Sequence, residues 1–307
     1  MSGVSMAVDL GGIRMANPIG TASGTFGCGR QFEGFYDVGR LGAITTKGCS
    51  AEPWNGNPAP RVCEVTSGIM NSVGLQNPGV REFVAHEGAY LSGLAERGCA
   101  VICQVVGHSI EEYASALELY EELAPFAAGF EVNISCPNVA AGGLAMGSTP
   151  ERAAEVMRAL RPLTRRPVLV KMAPSRVPET ARALEDAGAD ALSLINTIPA
   201  MSIDVRTRRS RLSRPTAGLS GPLVHPIAVR MVWEAHNAVG IPINGIGGVM
   251  SGQDAAEFIL AGATTVSVGT ANLVQPDSAP RILAELERWA ESQGVHDINE
   301  LIGAFEC

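Results

Sequence analysis

The hexapeptide Asn133-Ile134-Ser135-Cys136-Pro137-Asn138 sets one thiol between two amides and a hydroxyl. It follows the apolar run Gly129-Phe130-Glu131-Val132, which reads as a strand, and runs on past the proline into Ala140-Ala141-Gly142-Gly143. A reactive group is therefore expected where a strand ends and a loop begins, the place where α/β proteins concentrate their chemistry. A thiol with an ordinary pKa of about 8.5 is mostly protonated at neutral pH. Cys136 can act as nucleophile or as base, or be an inert buried thiol, and the residues alone leave this open. Asn71, Asn133, Asn138 and Asn196 stand at strand ends or in long loops. Each alone suits a turn; together their donors and acceptors suit a small planar ligand such as a cyclic imide.

Two cations belong to the same picture. Lys47 ends one apolar run, and Lys171 lies inside another, Val168-Leu-Val-Lys-Met172. A lysine in a buried strand is costly without an anionic partner, unless it snorkels at the strand end. Two ammonium groups facing one mouth suit a cofactor that gains negative charge, as a flavin does on reduction. Gly245-Ile-Gly-Gly248 and Gly269-Thr270 follow the seventh and eighth apolar runs. Either is an ordinary glycine turn when taken alone. In that order they match the phosphate site of a barrel, where bare backbone N–H groups approach the anion.

The elements that position these groups alternate. Candidate strands cover Ile19–Ala22, Ala43–Thr46, Val101–Val106, Phe130–Ile134, Val168–Met172, Ala191–Ile195, Ile243–Gly245 and Thr265–Val268. Candidate helices include Ile110–Leu123, Pro150–Leu160, Pro178–Ala187, Pro222–Ala238, Gly252–Ala261 and Ala279–Glu291, with Gly188 and Gly262 as stops. Eight strands alternating with helices imply a (β/α)8 TIM barrel, an α/β fold, spanning 1–307 as one domain. A doubly wound open sheet is the runner-up, weakened because no G-x-G-x-x-G follows the first strand. Val8–Met15 reads as a small hairpin closing the barrel's bottom. Two long connections, from Gly48 to about Gly79 and from Asn196 to Gly221, fall on the C-terminal face and read as functional loops.

Composition narrows the classes. The formal net charge is -8, which argues against a nucleic-acid partner. The local exception is Arg206, Arg208, Arg209, Arg211 and Arg214, read as a solvated loop or a docking or gating segment. The seven cysteines include no C-x-x-C pair. That implies reduced thiols in a cytoplasmic protein and no iron–sulfur cluster in this chain. Cys99 and Cys103 read as packed small hydrophobes beside Val101-Ile102. No H-x-x-x-H pair suggests a metal site, no apolar stretch suggests a membrane span, and the N-terminus lacks the charged region of a signal peptide.

The ordered set Ala22-Ser-Gly-Thr-Phe-Gly27, Lys47-Gly48, Asn71-Ser-Val-Gly-Leu-Gln-Asn77, Asn133-Ile-Ser-Cys-Pro-Asn138, Ile195-Asn-Thr197, Gly218-Leu-Ser-Gly-Pro222, Gly247-Gly248 and Gly269-Thr270 resembles class 1 dihydroorotate dehydrogenase. The match runs from about Val8 to Ala290. The variants Gly24-Thr25-Phe26 and Gly74-Leu75-Gln76-Asn77 look like subclass 1B, the catalytic subunit of the NAD-linked enzyme. Class 2 relatives carry an N-terminal extension and a serine base; here the barrel begins early and the base position is Cys136.

The resemblance implies FMN across the barrel mouth, its phosphate on Gly247, Gly248, Gly269 and Thr270. Ser23, Lys47, Gly48, Gln104, Asn133, Lys171, Ile195 and Gly221 would hold the rest of the cofactor. Dihydroorotate would be held by Lys47, Asn71, Ser72, Val73, Gly74, Leu75, Asn133, Asn138, Asn196 and Thr197. It implies Cys136 as general base, with Lys171 stabilising the reduced flavin. It also implies a homodimer joined by an electron-transfer subunit with FAD and a [2Fe-2S] cluster, a heterotetramer that delivers electrons to NAD. One departure is Gln104, where the family commonly has Asn. Alternatives are fumarate as acceptor (subclass 1A), a dihydrouracil-type oxidoreductase, a flavin-free barrel isomerase or aldolase, and a non-catalytic binding module.

Overall fold

A computed structural model describes residues 3–135 and 146–306; Cys136, Asn138, the Gly142-Gly143 pair and Cys307 lie outside the described residues. The chain opens with the hairpin β1 (Val8–Leu10) and β2 (Ile13–Met15), paired antiparallel. Eight parallel strands follow: β3 (Ile19–Thr21), β4 (Ala43–Thr45), β7 (Ala100–Val105), β8 (Gly129–Asn133), β9 (Val168–Lys171), β10 (Ala191–Leu194), β15 (Ile243–Ile246) and β16 (Thr265–Val268). Their order is β3-β16-β15-β10-β9-β8-β7-β4. All eight are buried along their whole length, which explains why they read as continuous apolar runs. The two ends of the sheet meet where Gly42 N–H donates to the Ile19 carbonyl at 2.9 Å. The result is the (β/α)8 barrel expected from the alternation.

Helices cover the outside. They are α1 (Ser23–Phe26), α2 (Val80–Glu96), α3 (Ile110–Leu123), α4 (Pro150–Leu160), α5 (Val177–Asp186), α6 (His225–His236), α7 (Gly252–Leu260), α8 (Ala271–Val274) and α9 (Ser278–Ser292). Their starts are locally encoded. Ser109 and Thr149 accept from backbone N–H groups at the heads of α3 and α4, and Ser251 forms a capping box with Asp254 at α7. The segment Pro222–Ala238 is not one helix: Pro222–Val224 is a 3-10 turn, and α6 starts at His225. The hairpin does close the barrel's bottom. Its Gly11 lies against Asp190 and its Ile13 against Gly129, where β10 and β8 begin.

The long connections hold more order than their Pro, Gly and Asn content suggests. The first carries β5 (Val62–Val65) and β6 (Gly68–Asn71). The second carries β11 (Ile198–Ala200), β12 (Ile203–Asp204), β13 (Arg209–Ser210) and β14 (Ala217–Ser220). They pair with each other, β11-β14-β6-β5, with Gly218 opposite Asn71. Met70, Leu212 and Ala217 form a separate small core beneath this sheet. The basic run has a structural use here. Arg211 donates to the Glu64 carbonyl at 2.8 Å, and Arg214 to Asn57 Oδ1 at 3.3 Å. Two of its five arginines therefore fasten one loop to the other.

Two glycines test this packing. A Cβ at Gly42 would overlap the Asn17 carbonyl at the barrel seam. Gly42→Ala is expected to lose at least about 2 kcal/mol in denaturant unfolding. Gly93, inside α2, has open space where a Cβ would go. Gly93→Ala is expected to gain about 0.5–1 kcal/mol in the same assay.

Candidate active site

The C-terminal ends of the strands surround a cavity of about 380 Å³, within the range of small-molecule sites. Its floor comes from barrel strands: Gln104 on β7, Asn133 on β8 and Lys171 on β9. Ser23 opens α1, Lys47 follows β4, and Ile195, Asn196 and Thr197 follow β10. Asn71 at the end of β6, residues 72–75 beyond it, and residues 218–220 of β14 form the outer wall. Gly247, Gly248, Gly269 and Thr270, after β15 and β16, form the far end. Most of the residues singled out in the sequence thus line one space. Gly48 and Gly221 stand just behind it. A Cβ at Gly48 would fall 2.5 Å from Gln104 Oε1, and Gly248 packs against the Gly221 carbonyl.

The far end is built for an anion. Gly247 and Gly248 have φ of +146° and +67°, values that suit glycine. No described group accepts from the backbone N–H of Gly247, Gly248, Gly269 or Thr270. Four unused donors in one corner fit a phosphate better than they fit a folded loop with nothing bound. His225 braces this corner from behind. Its Nδ1 lies 3.0 Å from the Gly247 carbonyl, its Nε2 3.2 Å from Glu257, and its ring meets Phe258 edge-on. Thr270 Oγ1 donates to Ser220 Oγ at 2.9 Å and so ties the corner to the outer wall.

The outer wall offers a second donor set. Gly74 and Leu75 both take positive φ, +72° and +54°. Among the described residues, no acceptor takes the N–H of Val73, Gly74 or Leu75. The turn is held from outside the cavity. Asn77 Oδ1 accepts from the N–H groups of Ser50 and Gly79, and its Nδ2 donates to the Leu75 carbonyl at 2.9 Å. Asn57 Nδ2 donates to the Ser72 carbonyl at 3.1 Å.

On the floor, no hydrogen bond or ion pair joins the Lys171 ammonium to another described residue. Gln104 is not turned freely toward the cavity. Its Nε2 donates to Glu131 Oε1 at 2.6 Å, and its Oε1 accepts weakly from Asn133 Nδ2 at 3.5 Å. Ser193 Oγ donates to the other oxygen of Glu131 at 2.6 Å. Sequence reasoning passed over Glu131 and Ser193. The signal was present: a carboxylate inside the apolar run 129–132 is as costly as a lysine inside 168–172.

Four described thiols, Cys28, Cys49, Cys99 and Cys103, are poor bases. Burial pushes Cys28 and Cys99 up to about 12 and Cys49 up to about 11, and raises Cys103 as well. None of these four supplies a thiolate near neutral pH. Cys136 and Asn138 lie outside the described residues. No group of three metal-binding side chains occurs among the described residues, and no helix among them is long and apolar enough to cross a membrane.

Comparison with known proteins gives a consistent answer. Residues 5–289 match the family model for dihydroorotate dehydrogenase. The chain is 47% identical over 303 residues to the dihydroorotate dehydrogenase B (NAD(+)) catalytic subunit of Geobacter metallireducens, covering 98% of each chain. The protein of the same name from Geobacter sulfurreducens is 48% identical over 303 residues, again covering 98% of each. That of Desulforamulus reducens is 47% identical over 303 residues, with the same coverage.

The wall's geometry rests on Asn77, which is 5% exposed. Asn77→Ala leaves the Ser50 and Gly79 N–H groups without their acceptor. It is expected to destabilise by about 2–3 kcal/mol and to open the 48–79 loop to limited proteolysis, read by mass spectrometry of the first cleavage products.

Proposed function

The chain belongs to the dihydroorotate dehydrogenase family, and on that premise we propose how its own residues carry the reaction. It oxidises dihydroorotate to orotate in pyrimidine biosynthesis, and NAD receives the electrons through a partner subunit. The carrying observation is the corner of four unused N–H groups joined to a cavity with Lys47 and Lys171 on its floor. That corner suits the phosphate of FMN, and the floor suits its ring. FMN bound there supplies the hydride acceptor; a partner subunit with FAD and a [2Fe-2S] cluster relays the electrons to NAD.

The remaining work falls to side chains. Gly247, Gly248, Gly269 and Thr270 hold the phosphate through backbone N–H groups, and Ser23, Gln104 and Ile195 frame the ring. Lys171 sets a fixed positive charge beside it, so that added negative charge is stabilised. The N–H groups of Val73, Gly74 and Leu75, with Lys47, hold the substrate carboxylate. Asn71, Asn133, Asn138, Asn196 and Thr197 fix the ring edges. Cys136 takes the proton from C5 while a hydride leaves C6. The unclustered thiols of this chain fit a division of labour in which the iron–sulfur cluster belongs to the partner, and a reducing cytoplasmic setting. The assembly we infer is a dimer of this chain joined to electron-transfer subunits.

Two measurements test this reading. The purified protein is expected to carry FMN, released on denaturation and identified by mass. Gly248→Ala should lower its occupancy several-fold, because the new Cβ meets Gly221 and His225 at 2.8 Å. A colourless wild type that does not take up added FMN contradicts the reading. Cys136→Ala should keep FMN but slow its reduction by dihydroorotate by about 10²-fold or more. In wild type that rate should rise with pH toward the thiol range near about 8.5. Unchanged reduction by Cys136→Ala removes Cys136 as the base.

A further inference from the structure

The inside of the barrel holds a polar chain whose members all point the same way. Asn196 Nδ2 donates to Ser135 Oγ at 2.6 Å, and Ser135 Oγ donates to Asn133 Oδ1 at 2.7 Å. Asn133 Nδ2 donates to Gln104 Oε1 at 3.5 Å, and Gln104 Nε2 donates to Glu131 at 2.6 Å. A second arm comes from the opposite side. Thr265 and Ser267 hydroxyls donate to Asn244 Oδ1 at 3.1 and 3.0 Å, Asn244 Nδ2 to Ser193 Oγ at 3.3 Å, and Ser193 Oγ to Glu131 at 2.6 Å. Both arms end on the same carboxylate, which is 1% exposed.

This convergence has a directional consequence. A carboxylate only accepts, whereas an amide can turn either end toward a neighbour. With Glu131 accepting, Gln104 must offer it Nε2 and so present Oε1 to Asn133. Asn133 must then answer with Nδ2, which turns its Oδ1 to Ser135. Ser135 spends its proton on Asn133 and accepts from Asn196. The Oδ1 of Asn196 is taken by Thr197 N–H at 2.9 Å. Asn133 and Asn196 therefore have their oxygens engaged within the protein, and each keeps an N–H for a ligand. An alternative in which either amide shows oxygen to the cavity leaves a buried donor or acceptor unmatched along the chain, a loss larger than the gain of one hydrogen bond.

We propose that Glu131 is a positioning residue for substrate: it fixes the polarity of Gln104, Asn133 and Asn196, so that the barrel side of the cavity turns amide N–H groups toward the ligand and selects an edge rich in oxygen acceptors. Neither Glu131 nor Ser193 lines the cavity; both act through the amides that do. The inference rests on the dihydroorotate reading above and explains how the barrel-strand amides recognise the acceptor oxygens of orotate.

The test is a polarity swap read by calorimetric titration of the FMN-loaded protein with orotate. Gln104→Glu sets a second carboxyl against Glu131, so that the two share a proton or repel. It is expected to weaken orotate binding at least tenfold and to make it pH-dependent between about pH 5 and 8, where wild type is flat. Adding Glu131→Gln restores one donor and one acceptor at the contact, with the arms unchanged in direction. The double variant is expected to return to within about threefold of wild type and to a flat profile. If Gln104→Glu binds orotate as wild type does, or the double variant binds no better than the single, the proposal is overturned. Should Gln104→Glu not fold, Glu131→Ala decides. It removes the common acceptor and is expected to lose tenfold in orotate affinity with FMN retained; wild-type affinity overturns the proposal. A wild type that holds FMN but ignores orotate sinks the functional reading instead, which keeps the two failures apart.

Discussion

Closure of eight parallel strands into one ring is the constraint on which the rest of the molecule depends. In this closed ladder all eight strands run the same way, so their C-terminal ends share one rim. Successive side chains alternate between the ring's inside and outside. Gln104, Asn133 and Lys171 come from separate stretches of sequence, yet they reach one floor because β7, β8 and β9 are neighbours in register, with Asn133 opposite Lys171. The close approach of β3 and β4 at Gly42 completes the ring, and the hairpin β1–β2 covers the other end. The chemistry is thus placed by backbone hydrogen bonding before any side chain is consulted.

On that rim the protein builds a wall from connections rather than from the barrel itself. β6 and β14 belong to loops about 150 positions apart, and they meet in an antiparallel pair. Arg211, Arg214 and Asn57 hold the two loops together from the side. A wall of this kind gives the cavity an oxygen-seeking face at Val73–Leu75 that the strands cannot supply, since strand N–H groups are committed to the ladder. The floor contributes charge, the corner contributes bare N–H groups, and the wall closes over both. The donor-rich character is shared by all three, and it is the basis on which we propose that an anionic cofactor and an anionic substrate share one cavity.

Much of this was legible in the residues. Each barrel strand appeared as an apolar run within a residue or so of its observed ends, because parallel strands buried on both faces show no alternation to mistake for another element. The glycine stops Gly188 and Gly262 were equally plain, and both take positive φ just past their helices. The antiparallel sheet was not legible. Its strands are two to four residues long, too short for a period to show, and its register is set by contacts between distant segments. Helix α2 was missed for a related reason: its N-cap is Gly79, which offers no side-chain cap, directly after a loop rich in Pro and Gly. At the site, Lys171 announced itself as a charge in a buried strand, and Glu131 carried the same signal. Glu131 was overlooked because its partners, Gln104 and Ser193, sit on other strands and only the register reveals them. Gly48, which the resemblance implies as a cofactor contact, also lets the chain pass close to Gln104, where a Cβ would fall 2.5 Å from Oε1.

If FMN binds in this cavity as we propose, dihydroorotate reduces it and the donor-rich wall reads the substrate's carboxylate. The most direct measurement is an anaerobic titration of the FMN-loaded chain, following the flavin's visible absorbance, with dihydroorotate and separately with dihydrouracil, which lacks the carboxylate. About one equivalent of dihydroorotate is expected to bleach the flavin, while dihydrouracil at the same concentrations is expected to leave it oxidised. Equal bleaching by both would show that the wall does not read the carboxylate, and no bleaching by dihydroorotate would contradict the account at its root.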